Sequence, residues 1–249
     1  MGSVELGLLL LVGFMGGFLN TVAGGASLMT VPLLIYLGLP PTHASATNNL
    51  ATTCQSLLAA IRHAQRGYGD RALVLRLGVP AVIGGAVGAL VVVSMSDDAF
   101  RQVIAAVMVL ALFVVARPRS TGEVPRVPRG PLLLLAGGGG VGVLAIYGGF
   151  FGGGVGLLLL PLIVAVSGRD LLVANGVKTA LVFAMNVTAT AVFLWHDMIH
   201  WVPASVLTGA MLVGAWVGVD VAIERGETWI RRVLVVVTCL AAAWLVLAP

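Results

Sequence analysis

The chain has 249 residues, of which 59% are apolar and only 10% charged, and its mean hydropathy is +1.06. A soluble domain carries about 45–50% apolar and about 25% charged residues because its surface faces water. This balance therefore excludes soluble enzymes, secreted disulfide scaffolds and nucleic-acid-binding domains, and leaves an all-α polytopic membrane protein; the net charge of +4 is scattered between apolar blocks as a topology signal.

Apolar blocks divided by charged, proline-rich or glycine-rich breaks predict ten helical pieces, at 3–22, 25–38, 43–65, 72–95, 98–116, 131–150, 153–167, 170–195, 202–223 and 228–247. The first contains Glu5 and has no Lys or Arg before its apolar run, so it is expected to belong to the fold rather than to a cleaved signal. The second and seventh, at about 14 and 15 residues, reach roughly 21–23 Å, short of the roughly 30 Å hydrocarbon core. They are expected to be tilted, re-entrant or broken. Most of the 33 glycines lie inside apolar segments, where they permit close helix packing or broken helices. Cys54 and Cys239 each sit in an apolar stretch, which predicts neither a disulfide framework nor a metal site.

The pieces form two sets of five that align at an offset of 129 to 130 residues. Gly24-Gly25 and the run to Pro32 match Gly153-Gly154 and the run to Pro161; Gly16-Gly17-Phe18 matches Gly148-Gly149-Phe150; Gly84 and Gly88 match Gly214 and Gly218. Twelve of the 14 basic residues fall on one side if Arg62, Arg66, Arg71, Arg76, Arg117, Arg119, Arg126, Arg129, Arg169, Arg225, Arg231 and Arg232 are cytoplasmic. The positive-inside rule then makes the third piece run inward and its counterpart, the eighth, run outward. The chain is thus predicted to comprise two inverted five-helix repeats, 1–116 and 131–249, joined by a cytoplasmic linker at 117–130, with both termini external in the inner membrane. Such repeats with broken helices are the architecture of secondary transporters, whose substrates bind near the midplane at half-helix ends.

Lys178 is the leading candidate for a site residue. It lies on the order of 10 Å into the eighth piece, and a lone cation in hydrocarbon costs at least about 2.5–3.5 kcal/mol. Snorkelling toward the interface is the structural alternative. Asp170 and Asp220 fall near helix ends, so its partner is expected to be an anionic substrate. On the third piece Asn48, Thr52 and Gln55 share one face, with Asn49 beside them, and such amides and hydroxyls suit a small oxyanion. They serve equally as glue between helices; Asn175, Thr179 and Asn186 on the eighth piece share that ambiguity. Asn20, Gly24, Gly25 and Ser27, with Gly153 and Gly154 in the second half, flank short-helix starts that present free N–H groups to an anion; a close backbone crossing is the alternative. Arg62 and Arg66 are candidates for a basic mouth, although topology accounts for them. Gly137, Gly139 and Gly142 match a dinucleotide-binding spacing but lie in an apolar span. His196, Asp197 and His200 sit among interfacial tryptophans rather than in a metal site.

Gly16-Gly17-Phe18 through Pro32, Leu39-Pro40-Pro41 through Asn48-Asn49-Leu50, and Lys178 with Asn186 resemble the sulfite exporter TauE/SafE family, over nearly the whole chain. The resemblance implies movement of sulfite, sulfoacetate-like organosulfonates or other small anions. That family often carries a lysine after the Thr-Asn pair, a place taken here by Asn49, which leaves more weight on Lys178. With the cytoplasm negative, moving one anion outward releases about 2.3 kcal/mol per 100 mV, so export needs no coupling ion in principle. Neither a cofactor nor a metal is expected. The partners are the bilayer and a small anionic substrate, with no nucleic acid and with monomer or homo-oligomer left open. An anion channel is the alternative within transport, and an integral-membrane enzyme a weaker one, because no His, Asp and Glu cluster gathers at the cytoplasmic helix ends.

Overall fold

The computed structural model describes residues 2–116 and 131–247; the linker expected at 117–130 lies outside the described residues. These fold into α1 (Ser3–Val22), α2 (Ser27–Tyr36), α3 (Pro41–Gln65), α4 (Arg71–Ser94), α5 (Asp97–Ala116), α6 (Pro131–Phe150), α7 (Val155–Ser167), α8 (Leu171–Trp195) and α9 (Trp201–Leu247). Helix α9 is two arms, because Gly226 takes φ 72° and ψ −172° in its middle. The expected ninth and tenth pieces are both present, separated by one residue rather than four.

Both short helices are shorter than expected, 10 residues for α2 and 13 for α7. The cause is backbone geometry. Gly24 and Gly25 have φ of 96° and 107°, and Gly152 and Gly154 have 74° and 79°, a left-handed region that side-chain-bearing residues avoid. The glycine pairs assigned to helix starts therefore form the breaks themselves.

Among the described residues, four helices are long and apolar enough to cross a membrane: Ser3–Val22, Arg71–Ser94, Leu171–Trp195 and Trp201–Gly226. With this many apolar helices and the relatives described below, the chain is a multi-pass membrane protein. Leu10 and Leu11 on α1 and Leu75, Ile83 and Leu90 on α4 are exposed, as lipid-facing side chains are. Helix α3 differs: its 25 residues bury Thr47, Asn48, Asn49, Thr52, Thr53, Gln55 and Ser56. A helix this polar is shielded from lipid by α2, α8 and α9, which pack around it.

The two longest interfaces join distant parts of the chain. Helix α1 packs on α9, and α6 packs on α4. Glycine makes both contacts possible, since a Cβ on Gly17 would collide with the Met211 carbonyl, and one on Gly149 with the Gly85 carbonyl. With little hydrophobic drive between helices in lipid, such backbone approach supplies the packing energy. Helices α3 and α8 lie antiparallel at the centre, with His43 beside His200 at one end, Thr53 bonded to Thr190 at 2.7 Å in the middle, and His63 near Asn175 at the other end.

Each end of this centre is tied. At the His63 end, Arg62 donates to both carboxylate oxygens of Asp220 at 2.6 and 2.7 Å while its guanidinium lies 3.5 Å from the centre of the Trp216 ring. Arg66 joins the same carboxylate at 3.0 Å. Asp220 thus pairs with both arginines considered for a basic mouth and offsets one of their two charges. Nearby, Asp70 caps α4 through Leu73 N–H at 3.0 Å and pairs with Arg169 at 2.7 Å. At the opposite end, Asp97 accepts from the N–H and hydroxyl of Thr42, at 3.0 and 2.7 Å, satisfying a donor at the start of α3 that Pro40 leaves uncapped.

Candidate functional site

The two breaks cross at the centre of the molecule. A Cβ built on Gly24 would lie 2.6 Å from the Cα of Gly156, so the backbone of the α1–α2 break rests directly on the first turn of α7. The crossing anticipated as an alternative for these glycines is therefore real. Gly25 faces Gly154 across the same contact, and Gly153 is packed by the Phe151 ring, its carbonyl accepting the Tyr147 hydroxyl.

Beside the crossing lies a small polar cavity. Asn20, Ser27, Asn48, Asn49 and Thr52 line it, together with Phe151, Gly152, Val155, Val182 and Asn186. The structure thus brings five of the expected site residues to one wall. Its first residues from both broken helices, Ser27 of α2 and Val155 of α7, place two helix N-termini at the cavity, where the macrodipole is positive. The space holds about one water molecule. A larger solute enters only if the surrounding helices separate.

Other expected residues stand one layer back. Gln55 accepts from Asn20 Nδ2 at 2.7 Å and donates to the Thr21 hydroxyl at 2.8 Å, which fixes the Asn20 amide. Lys178 Nζ donates to the carbonyls of Asn20 and Thr21, each at 3.1 Å, and Asn175 Nδ2 donates to Thr21 O at 3.2 Å. Lys178 and Asn175 are fully enclosed, at 1% and 0% exposure. Lys178 does not snorkel to the interface. The Thr52 hydroxyl bonds back to Asn48 O at 3.0 Å and so offers the cavity no hydrogen of its own.

The hydrogen-bond directions decide what the cavity favours. Asn20 Oδ1 accepts from Gly25 N–H at 3.3 Å, Asn48 Oδ1 from the Thr30 hydroxyl at 2.5 Å, Asn49 Oδ1 from the Thr190 hydroxyl at 2.8 Å, and Asn186 Oδ1 from Asn49 Nδ2 at 3.3 Å. Each of the four amide oxygens thus receives one hydrogen. On the donor side, Asn48 Nδ2 goes to Ser27 Oγ at 2.9 Å, while the Ser27 hydroxyl hydrogen and Asn186 Nδ2 find no protein acceptor among the described residues. The cavity contains no Asp, Glu, Lys or Arg side chain among those residues. Its unengaged groups are neutral donors.

Sequence reasoning did not assign Phe151, Val155 and Val182, which look like any apolar membrane residue. Asn186 was legible as a polar group that serves either a small oxyanion or helix packing, and the structure puts it in the cavity lining.

The family model for the sulfite exporter TauE/SafE matches residues 9–245. Among curated proteins, the chain is 28% identical to the probable membrane transporter protein YfcA of Escherichia coli strain K12, covering 96% of this chain and 88% of that one. It is 28% identical to a probable membrane transporter protein of Haemophilus influenzae, with 97% and 94% covered, and 27% identical to probable membrane transporter protein ORF9 of Sinorhizobium sp, with 98% and 93% covered. No solved structure matches.

Proposed function

Because the chain belongs to the sulfite exporter TauE/SafE family, we propose that this membrane transporter exports a small sulfur-containing anion, sulfite or an organosulfonate, by alternating access of two inverted five-helix repeats. The observation that carries the anion assignment is the set of unengaged donors. A cavity whose four amide oxygens each already receive a hydrogen, and in which the Ser27 hydroxyl and the Asn186 amide stand without an acceptor at the positive ends of two helices, favours a solute that brings acceptors. Neutral donors bind a charged oxygen at about 1.5–3 kcal/mol each without the full charge that would trap it.

In this reading Asn20, Ser27, Asn48 and Asn49 orient the anion with Thr52 beside them. Gln55 and Asn175 hold the α1 end in place, the glycine breaks at Gly24, Gly25, Gly153 and Gly154 aim the helix starts, and Lys178 supplies net positive charge from behind Asn20. The repeats, 1–116 and 131–249 about a cytoplasmic 117–130 linker, have support beyond the sequence offset. Helices α3 and α8 are antiparallel, α1 on α9 has its counterpart in α6 on α4, and Ser45 donates to Phe150 O at 3.2 Å as Asn175 does to Thr21 O. In this reading the Arg62–Asp220 end faces the cytoplasm and both termini lie outside the inner membrane, as the charge pattern favours.

The test is flux in proteoliposomes loaded with sulfite, sulfonates and carboxylates, under imposed voltages of both signs. Saturable, voltage-driven movement of chemically unchanged sulfur anions is expected. Movement of cations alone, or of none of these solutes, refutes the assignment.

A further inference from the structure

At the α1 break the last carbonyls have no following turn to bond, and the negative end of the helix dipole gathers there. Two of these carbonyls, Asn20 O and Thr21 O, receive Lys178 Nζ. Asn175 also donates to Thr21 O, and its Oδ1 is a buried acceptor with no partner among the described residues. No carboxylate pairs with Lys178 there; the ion pairs among the described residues belong to Arg62, Arg66 and Arg169. The ammonium therefore sits among uncharged oxygens at an interrupted helix end, the type of ligand set on which transporters hold coupling cations. The equivalent place in the other half is unlike it. Among the described residues Phe150 O receives the Ser45 hydroxyl alone, and Asn49, at the repeat position of Lys178, turns its amide to Asn186.

We propose that the Lys178 ammonium is a tethered replacement for a dissolved coupling cation. It keeps one positive charge at the α1 break, so that anion binding next door needs no cation from solution. The inference rests on the cavity being an anion site. The link between them is short: Asn20, whose carbonyl Lys178 grips, also places its side chain in the cavity wall. On the other side, Lys178 Cδ lies 3.5 Å from where a Cβ on Gly156 would stand, one residue from the wall residue Val155. Truncation of Lys178 leaves Asn20 O and Thr21 O beside a space the size of an alkylammonium group. Na⁺ and methylammonium fit that set by charge and hardness.

The experiment measures methanesulfonate flux through wild type, Lys178→Ala and Lys178→Met in proteoliposomes whose only cation is Na⁺, methylammonium or bulky N-methylglucamine. Wild type is expected to work equally in all three. Lys178→Ala is expected to lose about tenfold or more in N-methylglucamine, as loss of a nearby charge requires, and to regain most of its flux in Na⁺ or methylammonium. Lys178→Met, which fills the space without charge, stays inactive in every salt. Thermal unfolding in detergent gives a second readout: Na⁺ or methylammonium raises the Tm of Lys178→Ala but not that of wild type. Wild-type flux for Lys178→Ala in N-methylglucamine overturns the proposal. So does a Lys178→Ala protein that neither small cation reactivates or stabilises, including one that folds in none of the salts. If wild type moves no sulfur anion, the anion assignment fails, while the Tm shift still judges the cation position by itself.

Discussion

Asn48→Asp is the sharpest probe of the charge that the cavity accepts, because it changes one atom. The structure shows how the variant folds. The oxygen that receives the Thr30 hydroxyl at 2.5 Å is kept, and the new oxygen replaces an amide that faces Ser27 Oγ at 2.9 Å. Ser27 answers by turning its unengaged hydroxyl hydrogen toward the carboxylate, so the new oxygen keeps a hydrogen-bond partner against the cost of burying its charge. For transport the outcome is opposite. A carboxylate in the wall of a cavity sized for about one water stands about 4 Å from any occupant, and two like charges at that distance repel by about 4 kcal/mol at an effective dielectric of about 20. That is about a thousandfold in affinity, and the Ser27 donor is withdrawn as well. The assay is methanesulfonate uptake at pH 8, whose substrate charge is constant with pH, alongside a thermal melt. Uptake should collapse and return as acid neutralises the carboxylate. Unchanged or raised uptake at pH 8 refutes the anion site.

Gly24→Ala combines a disfavoured φ of 96° with a Cβ 2.6 Å from Gly156 Cα, and strain alone at such a position is about 1–3 kcal/mol; a marked fall in Tm, or loss of folded protein from the membrane, is expected. Asp220→Asn strands the nearly buried Arg62 and is expected to cost about 3 kcal/mol, whereas Arg66→Ala, removing a half-exposed partner, costs about 1 kcal/mol or less; equal Tm losses would contradict this ranking. The Leu73 N–H bond, aided by Arg169, holds the Asp70 carboxyl below the usual carboxylate range. Its contribution to stability is therefore full above about pH 4, the unfolded value, and fades as pH falls through the lower folded value. Tm curves of wild type and Asp70→Asn should be separated at neutral pH and converge in acid; a constant gap across pH refutes this account.

Much of the architecture was legible because lipid enforces it. An apolar block long enough to cross must be helical, so the ten expected pieces reappear with ends shifted by a few residues. The shifts arise where glycine has two uses: sequence composition does not say whether Gly24 and Gly154 begin a helix or interrupt the chain, and the φ values here follow from the crossing of the two breaks. Asn20, Ser27, Asn48, Asn49 and Thr52 were legible as polar groups in a setting that penalises them. The partner of Lys178 was not, since its oxygens belong to the main chain, which every sequence possesses equally. Nor was the role of Asp220, which joins Arg62 across 158 positions and satisfies charges that topology alone explained.

The α1–α9 interface also has a temporal side. Of the described helices α1 leaves the ribosome first, and it rests against one that begins at Trp201, so at about 5–20 residues per second its glycine-lined face waits on the order of ten seconds or more for that partner. Helix α6 emerges to find α4 already made. The two halves of the molecule, alike in their packing, are therefore unequal in their assembly: α1 spans the bilayer without its largest packing partner until α9 is made, whereas α6 meets its own at once.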